Sequence, residues 1–287
     1  MSNSKQEIQK WWADNPQTYA DIHGQTAYKD RHQEFGTLAF FERLDQEFQS
    51  WNKPLHAKAP FDRLFPYEHY SSQSRVLEVG CGMGTMAMNW AQHGVQVTAV
   101  DLNPSAVEQT KKRFELYGLK GDIHLEDGNK LSFEDNEFDY VYSWGVLHHS
   151  PNLDQSISEM MRVTKSGGGF GIMLYNRRSL LYWYLTRYIE GFLHFESHFL
   201  GPLELASRYG DGYRQEGNPH TWPVTSDELK ELFRPFSDDI QVKILGTDLD
   251  QLFKLLLPGL GVIVPTWAKK VWARRFGWSL WGYGHKI

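Results

Sequence analysis

The stretch richest in chemical possibility is Glu78-Val79-Gly80-Cys81-Gly82-Met83-Gly84. Glycines this close together let a backbone turn tightly and let a ligand approach it. The spacing is G-x-G-x-G, not the G-x-G-x-x-G that seats a pyrophosphate on a helix N-terminus. Glu78, two residues before the first glycine, suits a cationic ligand better than a dianionic one. Asp101 and Asp127-Gly128-Asn129 place further acids along the chain. A carboxylate at Asp101 can accept both hydroxyls of a ribose. One at Asp127 can accept an adenine amino group, with adjacent backbone N–H groups meeting the ring nitrogens. S-adenosylmethionine combines that nucleoside with a sulfonium and an ammonium. Leu102, Trp144 and Tyr19 complete the expected cofactor contacts, Tyr19 by closing over the ligand.

A second group of residues carries acid–base chemistry. Histidine side chains in general titrate near neutrality, and His148 and His149 stand side by side in the sequence. Either could act as a general base, with His149 the better placed. Tyr175 could orient or deprotonate an acceptor, and Arg177 could bind an anionic one. Tyr209, Tyr213 and His220 fall in a stretch with loop chemistry and are candidates to contact the acceptor. No metal site is expected.

These residues need elements to position them. Val76 to Val79 reads as a short buried strand, with a glycine turn and a helix near 84–93 behind it. Val95–Val100, Asp122–Glu126, Phe138–Trp144 and Gly168–Tyr175 read as further strands, with helices from Pro104 to about Tyr117 and from Leu153 to Thr164. This alternation predicts βαβ units and a parallel sheet. Glu78, Asp101, Asp127 and His149 then all fall at or just past the ends of strands.

Upstream, a capped helix carries Trp11 and Trp12, and a second is expected over 33–51, with Phe41, Leu44, Phe48 and Trp51 at helical spacing. Residues 1–70 are expected to form a helical lid, and 71–287 the cofactor-binding domain. Residues 177–225 interrupt the alternation and are expected to be an acceptor-side insertion. A capped helix over Thr225–Phe236, a strand over Gln241–Leu245 and a last edge strand over Trp278–Ile287 follow. Residues 267–276 form a basic amphipathic helix that either packs through its tryptophans or touches a membrane surface.

Residues 75–176 resemble the class I S-adenosylmethionine-dependent methyltransferases, nearest to the small-molecule and quinone-type, type 11-like enzymes. The resemblance rests on Val76 to Gly84, Val100-Asp101-Leu102, Phe138-Asp139-Tyr140-Val141, Val146-Leu147-His148-His149, Arg162-Val163 and Lys165-Ser166-Gly167-Gly168. It implies an α/β, Rossmann-like, doubly wound, seven-stranded sheet whose last strand is antiparallel. It implies S-adenosylmethionine as cofactor and methyl transfer by in-line displacement, where alignment and desolvation are the main demands. After the fourth strand the chain reads Ser143-Trp144-Gly145, without the Asn/Asp-Pro-Pro-Tyr motif of adenine- and glutamine-methylating relatives. That favours a small-molecule acceptor: a phenol or quinone ring, a sugar hydroxyl or a small thiol. The alternative is a subunit that binds the cofactor without transferring methyl. A nicotinamide-dependent oxidoreductase fails on the glycine spacing.

Composition narrows the class. A net charge of −5 argues against a nucleic-acid partner. Cys81 is the only cysteine, so no internal disulfide forms and a cytoplasmic setting is expected. The charged first 20 residues and the lack of a run of about 18 apolar residues lead us to expect neither a signal peptide nor a spanning helix.

Overall fold

Short runs of apolar residues separated by amphipathic helices build a seven-stranded sheet with helices on both faces. The computed structural model describes residues 5–14, 35–210, 217–246 and 264–287. In chain order the elements are α1 (Lys5–Asp14), α2 (Leu38–Trp51), β1 (Arg75–Val79), α3 (Thr85–Gln92), β2 (Gln96–Asp101), α4 (Pro104–Leu116), β3 (Asp122–Leu125) and β4 (Phe138–Trp144). There follow α5 (Leu153–Val163), β5 (Thr164–Tyr175), a π-helix (Tyr182–Leu193), α6 (Pro202–Tyr209), α7 (Ser226–Phe233), β6 (Gln241–Leu245), α8 (Thr266–Phe276) and β7 (Ser279–His285).

The sheet order is β3-β2-β1-β4-β5-β7-β6. The first five strands are parallel, and β7 runs antiparallel to both β5 and β6. The final strand is therefore interior, not the edge strand its late position suggested. Trp281 and Leu280 in β7 are fully buried, which an edge position would not allow. The chain reverses between β1 and β4, the switch point where ligands bind open α/β sheets.

Each face of the sheet has its own apolar layer. Leu77, Val79 and Val141 point to α5 and α7, meeting Ile157, Met160 and Leu229. Val76, Tyr140 and Tyr142 point to the other face, meeting Trp90 of α3. Phe48, Leu55, Phe61, Phe65 and Tyr67 belong to that same layer. Of the 1–70 segment, residues 38–70 thus pack into the core, α1 lies across the carboxyl edge of the sheet, and 15–34 fall outside the described residues. The helix expected over 33–51 begins only at Leu38, where Thr37 caps it by accepting from the Phe40 N–H.

A buried ion pair ties α2 to the sheet domain. Arg113 of α4 is fully buried, and its Nη1 donates to Asp45 of α2 at 2.7 Å. Thr85 Oγ1, opening α3, donates to the same carboxylate oxygen at 2.9 Å. Three helices therefore share one charge.

Candidate functional site

At the carboxyl ends of β1, β2 and β4 lies a cavity of about 190 Å³, lined mostly by apolar atoms with acids at intervals. Glu78, Gly80, Gly82, Asp101, Leu102, Asp127, Gly128, Asn129, Trp144 and His149 all line it. The βα turns explain this convergence. Gly80 and Cys81 both donate their backbone N–H to the Val100 carbonyl, which locks the glycine turn against the end of β2. Gly82 N then donates to Asp101 Oδ2 at 2.9 Å, and Asn103 N to Asp101 Oδ1, also at 2.9 Å.

Two glycines of the turn have different work. Gly82 has φ +51, and a Cβ there would meet nothing within 4 Å, so its surface is open to a ligand. Gly84 has φ +76, does not line the cavity, and a Cβ there would sit 2.8 Å from Thr110. Gly84 serves the close approach of α3 to α4, not the cofactor as its place in the motif suggested.

The acids differ in state. Burial pushes the Glu78 carboxyl well above its usual value, and the nearby Asp101 charge adds to the shift. Glu78 Oε2 is buried with no hydrogen-bond partner. Burial also raises Asp101, although the Asn103 and Gly82 N–H groups pull it back. Burial alone would raise Asp127 too, but Lys5 and Asn129 outweigh it and hold the carboxyl below its ordinary value. Three acids converging on one cavity form an acceptor set matched to a cationic nucleoside such as S-adenosylmethionine. Cys81 also lines the cavity, and burial pushes its thiol well up, which disfavours the thiolate.

The two histidines part company. The turn at Leu147–His149 sends His149 to the cavity and His148 into the core. His148 is fully buried, both ring nitrogens lack hydrogen-bond partners, and its ring lies 3.8 Å from that of Tyr175. It cannot reach an acceptor and is corrected from a candidate base to a packed core histidine. Tyr175 is likewise removed from the cavity lining, its ring between His148 and Trp278, the latter at 4.5 Å. Arg177 is committed to Glu228 and to the Pro223 carbonyl at 3.2 Å, so it anchors α7 and does not face an acceptor. Tyr209 ends α6 with the Arg208 guanidinium 5.7 Å over its ring, away from the cavity. His220 reaches the site through its backbone: its carbonyl lies 3.0 Å from His149 Nδ1. Tyr19 and Tyr213 lie outside the described residues.

Further residues of the site come from segments distant in the chain from the glycine turn. Asn218 Nδ2 and Thr221 Oγ1 lie 3.0 and 3.2 Å from His149 Nδ1. Lys5, Ile8, Gln9 and Trp12 of α1 form one wall. Gln9 donates to the Leu102 carbonyl at 2.8 Å, Asn103 Nδ2 donates to the Trp12 carbonyl at 3.1 Å, and the Trp12 ring stands 5.0 Å from His149. Positions 5, 8, 9 and 12 share one helix face, a periodicity that was available in the sequence.

Comparison with known proteins agrees with this geometry. Residues 76–168 match the family described as a methyltransferase domain. The chain is 32% identical over 173 residues to the ubiquinone biosynthesis O-methyltransferase of Xanthomonas oryzae, covering 54% of this chain and 69% of that protein. It is 34% identical over 102 residues to the sterol 4-C-methyltransferase strm-1 of Caenorhabditis elegans, covering 35% of this chain but only 30% of the nematode protein. In fold, it superposes on an S-adenosylmethionine-dependent methyltransferase of Methanosarcina mazei with a TM-score of 0.54 at 22% identity, covering 78% of this chain and 98% of that one. Glycine turn, strand-end acids, sheet order and sequence kinship lead to one assignment: the chain belongs to the class I S-adenosylmethionine-dependent methyltransferases.

Proposed function

We propose that this methyltransferase acts on a small, apolar, ring-bearing acceptor through a hydroxyl, and that His149 takes the hydroxyl proton. The observation that carries the reading is the setting of His149. It lines the cofactor cavity between Trp12 and the loop around Asn218 and Thr221. The aromatic walls, Trp12 and Trp144, suit a planar acceptor. The relatives named for ubiquinone and sterol methylation support an apolar ring.

When bound, S-adenosylmethionine supplies a methyl group on a sulfonium leaving group. Glu78, Asp101 and Asp127 are the residues that would hold it. The contacts to His149 then matter for the proton. Nδ1 is held by the protein, with the His220 carbonyl and Asn218 Nδ2 each at 3.0 Å and Thr221 Oγ1 at 3.2 Å, so an acceptor's proton would go to Nε2. These contacts fix the orientation of the ring, as a positioned base requires. Alignment comes from the walls, and α1 excludes water.

The test is a screen of phenolic, sugar and thiol acceptors, following S-adenosylhomocysteine release. Turnover is expected with the phenolic class, and His149→Ala should lower it by about 10²–10⁴-fold with cofactor affinity retained. Turnover confined to thiols or sugars overturns the reading of the acceptor. A full rate in folded His149→Ala removes the base.

A further inference from the structure

We propose that the π-helix and α8 together form a docking surface for an anionic lipid bilayer. The proposal stands apart from the acceptor chemistry, and its test reads binding alone.

The π-helix is twelve residues long, whereas such winding is rare and usually confined to a single turn. Its i→i+5 bonding brings Trp183, Tyr188 and Phe192 into one ladder, with ring centroids 5.9 and 6.0 Å apart in near-parallel stacks. In an α-helix, residues five and nine apart would point roughly 140° and 180° away from the first. The contiguous aromatic face therefore exists because of the winding. It faces solvent: Trp183 is 57% exposed and Phe192 65%. Phe199, at 84%, extends the patch, as does Phe195, which is held at φ +62, a disfavoured backbone setting for a bulky residue. Single exposed apolar side chains are ordinary, but a contiguous aromatic patch marks an interaction surface.

The second element supplies charge. α8 reads TWAKKVWARRF, with no acidic residue, in a chain whose net charge is −5. Trp267 is 70% and Val271 54% exposed, and Lys270, Arg274 and Arg275 are exposed beside them. Cations interleaved with exposed aromatic and aliphatic groups complement anionic headgroups above an acyl layer. Tyrosine and tryptophan rings suit that boundary because each is apolar with a polar edge. Among the described residues no helix is long and apolar enough to cross a membrane, so the contact is peripheral.

The two elements leave the sheet at one corner. The Tyr182 ring lies 6.4 Å from that of Trp278, just past α8, and Asn176 Nδ2 donates to the Gly277 carbonyl at 2.8 Å. From Trp278 the ring contacts run through Tyr175 and His148 to His149, so this corner adjoins the active cavity.

The experiment is co-sedimentation of the purified full chain with phosphatidylcholine vesicles, with and without phosphatidylglycerol. Binding is expected only to the anionic vesicles, and release is expected at about 1 M salt, where charges are screened beyond about 3 Å. Trp183→Ser with Phe192→Ser, and separately Lys270→Glu with Arg274→Glu and Arg275→Glu, should each lower partitioning at least about tenfold. Unchanged S-adenosylmethionine binding and thermal midpoint confirm that these surface variants fold. Failure of the folded parent to bind anionic vesicles overturns the proposal, as does retention of binding by either variant. Sedimentation velocity adds the remaining outcome: a dimer lost on Trp183→Ser, with no vesicle binding, makes the face a contact between copies and also overturns it.

Discussion

Lys5 Nζ stands 2.8 Å from Asp127 Oδ2, so the first helix is tied by charge to the acid that follows β3. The lysine side chain is 53% exposed, and such pairs contribute at most about 1 kcal/mol. Lys5→Ala is therefore expected to change S-adenosylmethionine affinity by less than about fivefold. Removing residues 1–14 also deletes the Gln9 and Trp12 hydrogen bonds and uncovers the cavity, and should weaken affinity by about tenfold or more. Calorimetry on both proteins checks this. Equal affinity of the truncated and full chains would show that α1 is no part of the cofactor site.

Asp101 holds two backbone N–H groups, one on each carboxylate oxygen, with lone pairs left over for a ligand. Asp101→Ala should weaken cofactor binding by about 1.5–3 kcal/mol, the range for hydrogen bonds to a charged group. Calorimetric affinity unchanged in a folded variant would take Asp101 out of the cofactor contacts.

The two glycines of the turn should respond in opposite ways. Gly84→Ala combines a left-handed residue with a contact to Thr110, and should destabilise the fold by about 2–5 kcal/mol. Cofactor affinity of its folded fraction should stay near wild type. Gly82→Ala has room for its methyl, so it should cost only about 1–2 kcal/mol in stability while weakening binding. Urea unfolding and calorimetry separate the two effects.

Asp45 is the only carboxylate that Arg113 reaches among the described hydrogen bonds, and Arg113 Nε and Nη2 have no partner. Asp45→Ala leaves a buried charge unpaired and should cost about 3–5 kcal/mol. Replacing both residues, Asp45→Leu with Arg113→Met, should restore most of that loss. A double variant no more stable in urea than the single one would mean the charges, not the packing, hold α2 in place.

Burial holds His148 well below the ordinary histidine pKa, and the His149 and His220 charges add to the effect. The unfolded chain then binds a proton that the folded chain refuses. Stability is complete above the unfolded value of about 6.5 and falls as pH drops below it, by up to about 1.4 kcal/mol per pH unit. Urea midpoints between pH 7 and 5 should fall less steeply for His148→Phe than for wild type. Parallel slopes would place the titration elsewhere.

What could be read in the sequence was what is local. The glycine turn and the acids at the ends of β1, β2 and β3 sit within a few residues of the elements that aim them, and they converge on the cavity. What escaped depends on direction or distance. His148 and His149 are neighbours, and only the geometry of one short turn decides which faces inward. Tyr175 ends β5 and Arg177 lies just past it, and their side chains are claimed by Trp278 and Glu228, more than 50 residues on. The α1 wall meets Leu102 and Asn103 from about 90 residues upstream. No spacing rule foretells the π-winding, because the same residues would serve an ordinary amphipathic helix.

The position of β7 bears on how the protein comes into being. β7 follows both of its sheet neighbours in the chain yet lies between them. While it is still being synthesised, β5 and β6 have no contact with each other, and each presents an open row of amide and carbonyl groups. Such edges invite pairing with other chains, and closing them needs a contact over more than 100 residues back to β5, which slows folding. The nascent chain therefore carries its greatest risk of aggregation just before Ser279–His285 leaves the ribosome, and a chain ending short of that strand inherits the risk permanently.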